Sequence, residues 1–323
     1  MRIVLPNSAH LQNLAGFIRK YDPNAGANLN IRLDKRWIHV HPFALAMTAC
    51  AGALARQRGQ ETRGHVPKIN SVRYLLRMKL FEYVALNPRI EITEHEESGR
   101  FIPITQIRTN EELRDAITNL IPLLHAPANV ADPIKYVFSE MVRNVLEHAQ
   151  SPVGAFVCAQ YYRQEDRLSI GIADAGIGIL QSIRRSHAAE HDQAAIALAL
   201  RPGITGATKR IGGTETNAGA GLFFTKSIAA LSRNFFALYS GNALYKLLRT
   251  REGQAPRVNA DPADDRHNFT GNLPRWQGTV VGINVSVGGG KAFADLLSDI
   301  RKAYRIDVKH QSKQYYKKIR FIA

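Results

Sequence analysis

Three short motifs stand in fixed order between Phe138 and Phe224, and they call for a helix, a strand with a tight turn and a second helix around one pocket. The first is Glu140-Met-Val-Arg-Asn144-Val-Leu-Glu-His148, in a stretch of helical periodicity. The second, Asp174-Ala-Gly176-Ile-Gly178-Ile179, follows the apolar strand pattern Leu168–Ala173. The third, Gly219-Ala-Gly221-Leu222-Phe223, opens another helical stretch.

Glu140, Asn144 and His148 follow each other at four-residue steps. Each step turns a helix by about 400°, so the three lie on one face. Phe138, Met141, Val142 and Val145 fill the apolar side, which segregates the polar stripe. An asparagine amide oxygen suits Mg²⁺, a hard cation that prefers oxygen ligands. A glutamate one turn away suits a base that orients or deprotonates an attacking water. Asp174, at the end of its strand, can accept a hydrogen bond from an adenine amino group. Gly176 and Gly178 let the backbone approach the base and adopt positive φ. Gly219 and Gly221 precede a helix whose free N–H groups can hold phosphates. Lys209 and Arg210, in the loop before it, are candidate lid cations.

The whole chain sets wider bounds. Its 323 residues suffice for about two domains. Cys50 and Cys158 sit in apolar runs without metal spacing, which reads as buried free thiols in a reducing compartment. No signal peptide or apolar run of membrane-spanning length is present, and a cytoplasmic location is the expectation. The net charge of +16 permits nucleic acid, anionic membrane surfaces or acidic proteins as partners. Much of the excess lies after residue 300, where Arg301, Lys302, Arg305, Lys309, Lys313, Lys317, Lys318 and Arg320 are interrupted by Asp307 alone among acids. A solvated helix running into a tail is the favoured reading; nucleic-acid contact is the other.

Strands and helices alternate over 28–95. Asn30–Leu33 reads as a strand and Pro42–Ala55 as an apolar helix with proline in its first turn. His65–Ile69 reads as an edge strand and Ser71 as the cap of a helix from Val72 to Val84. Glu97–Pro103 marks a boundary, Glu111–Leu124 is helical, and Asp132-Pro133 opens the helix of the first motif. Strands at Gly154–Tyr162 and Leu168–Ala173 form a hairpin. Residues 200–220 read as a mobile loop, Gly221–Leu231 as a helix, and Asn234–Ser240 and Gly278–Val287 as closing strands. The polar stretch Arg249–Arg275 takes no assignment.

With these motifs, residues 101–295 resemble the GHKL ATPase superfamily of gyrase, Hsp90, histidine kinases and MutL, closest to its anti-sigma-factor kinase and histidine-kinase branches. Glu140 and Asn144 match the N box, Asp174-Ala-Gly-Ile-Gly the G1 box, Gly219-Ala-Gly-Leu the G2 box, and Gly278-Thr279 the late Gly-Thr strand. The resemblance implies a Bergerat α/β sandwich, a mixed sheet covered by helices on one face, with ATP and Mg²⁺ bound under a lid at 200–220. It implies Glu140 as catalytic base and Asn144 as metal ligand. Asp174, Gly176, Gly178, Ile179, Lys209, Gly219, Gly221, Leu222 and Thr279 complete the nucleotide site. No phosphoacceptor-histidine hairpin precedes the domain; His125, between prolines, lacks that context.

Residues 1–100 more weakly resemble a STAS domain, a small α/β module, with His39-Val-His41-Pro42 where that family carries its phosphoacceptor serine. Residues 296–323 complete the chain as a basic segment. The expected function is a Mg-dependent ATPase or protein kinase working as a regulatory switch with a protein partner. The alternative is a catalytically silent, ATP-gated binding module whose basic surface holds protein or nucleic acid; a dimer stays open.

Overall fold

The computed structural model describes residues 1–88, 101–121, 128–210, 212, 220–286 and 293–317. The chain starts with β1 (Arg2–Leu5), β2 (Ser8–Ala9), α1 (Leu14–Ile18), β3 (Leu29–Leu33), β4 (His39–Val40), α2 (Pro42–Gln57), β5 (Thr62–His65), α3 (Ser71–Arg77) and α4 (Leu80–Val84). β1, β3 and β5 pair in parallel in that order, and β2 pairs in parallel with β4. The edge strand thus falls before Pro67, which cannot donate to a ladder. The helix expected over 72–84 is split at Lys79, which takes a left-handed φ of 58°. Ser71 does not cap it; the hydroxyl instead accepts the Ile38 N–H at 2.9 Å.

The second half contributes β6 (Phe101–Ile107), α5 (Asn110–Asp115) running into a π-turn at Ala116–Leu120, and α6 (Ala128–Asn144), which ends in a π-turn at Val145–Ala149. Then follow β7 (Ala155–Tyr162), β8 (Arg167–Asp174), α7 (Gly178–Arg184), α8 (Asp192–Ala199), α9 (Gly221–Leu231), β9 (Phe236–Gly241), β10 (Ala243–Leu247), β11 (His267–Thr270), β12 (Trp276–Ser286) and α10 (Phe293–Lys317). Phe101-Ile-Pro103, expected at a boundary, lies inside β6. Pro133 does not start α6; it sits in the second turn, where it removes one backbone hydrogen bond. His125 lies outside the described residues.

Seven strands form one sheet in the order β11-β10-β9-β12-β8-β7-β6. A mixed sheet is the expectation; every pairing described in this one is antiparallel. Short turns join β7 to β8 and β9 to β10, and β12 returns to fill the slot between β8 and β9. The protein is mixed α/β, and both faces of its large sheet are covered. On one face Leu168, Ile170 and Ile172 of β8 and Val281, Ile283 and Val285 of β12 meet the apolar sides of α6, α7 and α9. On the other, the alternate residues of β8 are small: Ser169, Gly171 and Ala173. That step in side-chain size opens the groove in which α2 lies.

A Cβ at Gly171 would come within 2.1 Å of the Pro42 carbonyl carbon, so only glycine permits this approach. His41 fixes the start of α2 there. Its Nδ1 accepts the Phe43 N–H at 3.0 Å, so Nε2 carries the proton and donates to Asn284 Oδ1 at 2.9 Å. Burial pushes the imidazole down to about 3, which keeps it neutral. Residues 1–88 therefore share a core with the back of the sheet, where Phe43, Leu45, Met47 and Leu54 meet Phe156, Cys158 and Tyr239. Cys50 and Cys158 are buried free thiols, as expected.

The unassigned polar stretch folds around one buried ion pair. Lys226 of α9 donates to Asp265 at 2.6 Å, and Tyr245 and Asn259 satisfy the remaining carboxylate positions at 2.8 and 3.1 Å. Both partners are almost fully buried. Asp265→Ala strands the ammonium and is expected to cost about 3–5 kcal/mol in a denaturant titration. No helix among the described residues is long and apolar enough to cross a membrane.

Candidate functional site

The three motifs converge on one cavity of about 760 Å³ between α6, the β8–α7 turn, the start of α9 and β12. Glu140, Asn144, His148, Asp174, Gly178, Ile179, Gly221, Leu222 and Thr279 all line it. The size falls in the range of small-molecule sites.

Local structure explains the convergence. α6 presents its polar stripe to the cavity while Val137, Phe138, Met141 and Val142 are buried. The π-turn after Asn144 brings the Ala149 carbonyl to the second motif, where it accepts the Ile177 N–H at 2.8 Å. Gly176 is pressed against the same carbonyl, which a Cβ would meet at 2.0 Å. Its φ is not positive; only Gly178 of the pair takes that conformation, at 74°. Gly176 therefore joins the first two motifs rather than facing the cavity. The third motif closes against the first. A Cβ built on Gly221 would lie 2.9 Å from Asn144 Nδ2 and 3.3 Å from Glu140 Oε2. The eleven-residue helix α9 thus starts beside both side chains, with no acidic residue in its first turn.

Asp174 lines the same cavity. It is 3% exposed, and its carboxylate accepts the Gly176 N–H at 2.8 Å and the Thr279 N–H. Sheet order sets that second bond. β12 pairs with β8 so that Val280 opposes Ala173, which puts Thr279 beside Asp174. The Trp276 indole donates to the Asp174 carbonyl at 3.0 Å and holds its backbone. Ser240, opposite Thr279 on β9, accepts the Ile179 N–H at 3.0 Å and donates to the Gly278 carbonyl at 2.7 Å. The turn bearing Gly178 is thereby tied to two strands.

The cavity mixes carboxylates (Glu140, Glu147, Asp174) with Arg143 and Arg301. Burial pushes the Asp174 carboxyl up to about 7, against the two backbone N–H groups that favour its charge. Burial also raises Glu140, aided by nearby Glu147 and opposed by Arg143. Among the described residues neither Glu140 nor Asn144 has a hydrogen-bond partner for its side chain, so both polar groups are available to a ligand. A nucleotide whose base amino group donates to ionised Asp174 should bind more weakly in acid. Its affinity is expected to fall about tenfold per pH unit below about 7, read by calorimetry from pH 8 to 5.5.

The residues present fit Mg²⁺ held jointly with phosphates. No group of three or more His, Cys, Asp or Glu side chains among the described residues forms a cage for a metal. One amide oxygen beside a helix N-terminus suits a cation that keeps waters and takes its remaining ligands from a phosphate chain.

Two predicted residues stand apart. Lys209 is exposed and does not line the cavity. Gly219 lies outside the described residues, as does most of the expected lid after Arg210. Sequence reasoning missed Ser240, whose role depends on a strand neighbour, and Arg301, which reaches the cavity from α10. Compared with known proteins, the chain matches no family model and no curated protein.

Proposed function

We propose that the chain is a Mg-dependent ATP-binding protein of the GHKL type, a Bergerat α/β sandwich that acts as an ATPase or protein kinase in a regulatory switch. One observation carries this reading. A single cavity is lined by a buried carboxylate, Asp174, and by Asn144 and Glu140 packed beside the N-terminus of α9. Adenine would take the Asp174 end and the phosphates the α9 end.

In this reading Asp174 accepts from the base amino group, and Thr279 keeps the carboxylate aimed through its N–H. Ile179 and Leu222 wall the cavity. The free N–H groups of α9 hold phosphate oxygens. Asn144 would hold Mg²⁺, which when bound neutralises phosphate charge. Glu140, whose proton affinity burial raises, takes the proton of the attacking water or hydroxyl. Residues 1–100 serve as a STAS-like module for a protein partner in the cytoplasm.

The test is to follow γ-labelled ATP with Mg²⁺ and the purified chain. Label released as phosphate means an ATPase, and label on a protein means a kinase. Bound but uncleaved ATP means the silent, ATP-gated module, and no bound ATP refutes the reading.

A further inference from the structure

α10 is more than a basic tail. Its inner stripe is Leu297, Ile300, Arg301, Tyr304, Val308 and Gln311, the three- and four-residue steps of one helix face. Ile300 is fully buried. Tyr304 packs on Phe223 and Phe224 of α9, with ring centres 6.1 and 5.8 Å away. Phe293 meets Tyr136 of α6 at 6.2 Å, and Tyr136 stacks on Phe224 at 6.0 Å. This aromatic cluster fixes the rotation of α10 against the two helices that carry the first and third motifs.

Arg301 is the one basic residue in that stripe, and it lines the same cavity as Glu140 and Asn144. It is exposed at the cavity mouth and has no carboxylate or hydrogen-bond partner among the described residues. Its end of the cavity is set by Tyr136, one turn before Glu140 on α6, whose hydroxyl feels Glu140 and Arg301 with opposite effect. Further along, α10 meets the loop before the third motif. Val308 lies 2.9 Å from where a Cβ on Gly203 would sit and 3.1 Å from one on Gly212, and Gln311 donates to the Pro202 carbonyl at 3.4 Å. The same face of α10 therefore touches both the cavity and its covering loop.

We propose that Arg301 reads the terminal phosphate of a bound nucleoside triphosphate and so sets the preference of the site for triphosphate over diphosphate. This rests on the nucleotide reading, with the base at Asp174 and the phosphates at α9. The outermost phosphate then lies toward Glu140 and the mouth, where an unpaired guanidinium can bind it by charge-assisted hydrogen bonds. A diphosphate stops short of that cation. Loss of the terminal phosphate frees Arg301, and α10 carries the change to the loop at Gly203 and Gly212.

The experiment measures Mg-dependent binding of AMP-PNP and ADP by calorimetry for the full chain and for Arg301→Ala, Arg301→Lys, Lys302→Ala and Asn144→Ala. Arg301→Ala should weaken AMP-PNP by roughly tenfold or more and ADP by less than about twofold. Arg301→Lys should fall between. Lys302→Ala, a neighbouring exposed charge outside the stripe, should match the unsubstituted chain, which separates a specific contact from a loss of overall charge. Equal weakening of both nucleotides, or no change in either, overturns the proposal; if Asn144→Ala still abolishes binding, the site reading survives that result. If the unsubstituted chain binds neither nucleotide, both fall together.

Discussion

Asn144→Ala is expected to weaken Mg·ATP binding by at least about a hundredfold, because several kcal/mol of phosphate charge stabilisation depends on the cation this amide would hold. No cluster of metal-ligating side chains is present among the described residues, and His148, though it lines the cavity, offers nitrogen rather than oxygen to a hard cation. Asn144 is half-buried with Gly221 packed on its amide, and alanine fits that contact with space to spare. The variant should therefore stay folded, which a thermal melt checks. ATP affinity measured by calorimetry with and without EDTA should then be low and the same in both. An unchanged, Mg-dependent affinity would remove Asn144 from the metal site.

Glu140→Ala should leave binding nearly intact and reduce turnover by about 10²–10⁴-fold, the range for loss of a positioned base. The two effects separate because Glu140 has no hydrogen-bond partner for its side chain among the described residues, and the proposed function assigns the base to Asp174 and the phosphates to the start of α9. Its raised proton affinity also gives turnover a pH dependence, with activity falling as acid protonates the carboxylate. Glu140→Gln keeps the shape and loses the proton acceptor, so it should match the alanine variant in rate. Equal rates in all three proteins would mean that Glu140 is not the base.

The helical parts of the site were legible because they depend on local periodicity. Glu140 and Asn144 share a face by spacing alone, and Gly221–Leu231 matches its expected span. The strand of Asp174 could be read from its apolar run, but its partners could not. Thr279 reaches the aspartate, and Ser240 ties Gly278 to Ile179, only because β12 lies between β8 and β9, a long-range pairing with no local mark. The hairpin of β10 and β11 was missed for a similar reason. Nineteen residues separate its strands, and the link is organised by the buried Lys226–Asp265 pair rather than by a turn.

Covering of both sheet faces had a trace in the sequence, since Leu168–Ala173 has no exposed polar alternation. What covers the second face had none. The break at Lys79 was hidden because a lysine in left-handed conformation carries no glycine signal. The inner stripe of α10 was present in the spacing of Leu297, Ile300, Tyr304 and Val308 and was masked by the density of lysines and arginines around it.

The most direct test of the central claim is a calorimetric titration of ATP into the purified chain with Mg²⁺, repeated with Asp174→Asn. Asparagine keeps the shape of the carboxylate while removing its charge. The account predicts saturable, Mg-dependent binding of one ATP per chain that is lost, or weakened by roughly a hundredfold, in the variant. No binding by the unsubstituted chain, or equal binding by the two, would contradict the claim that these motifs form one nucleotide pocket.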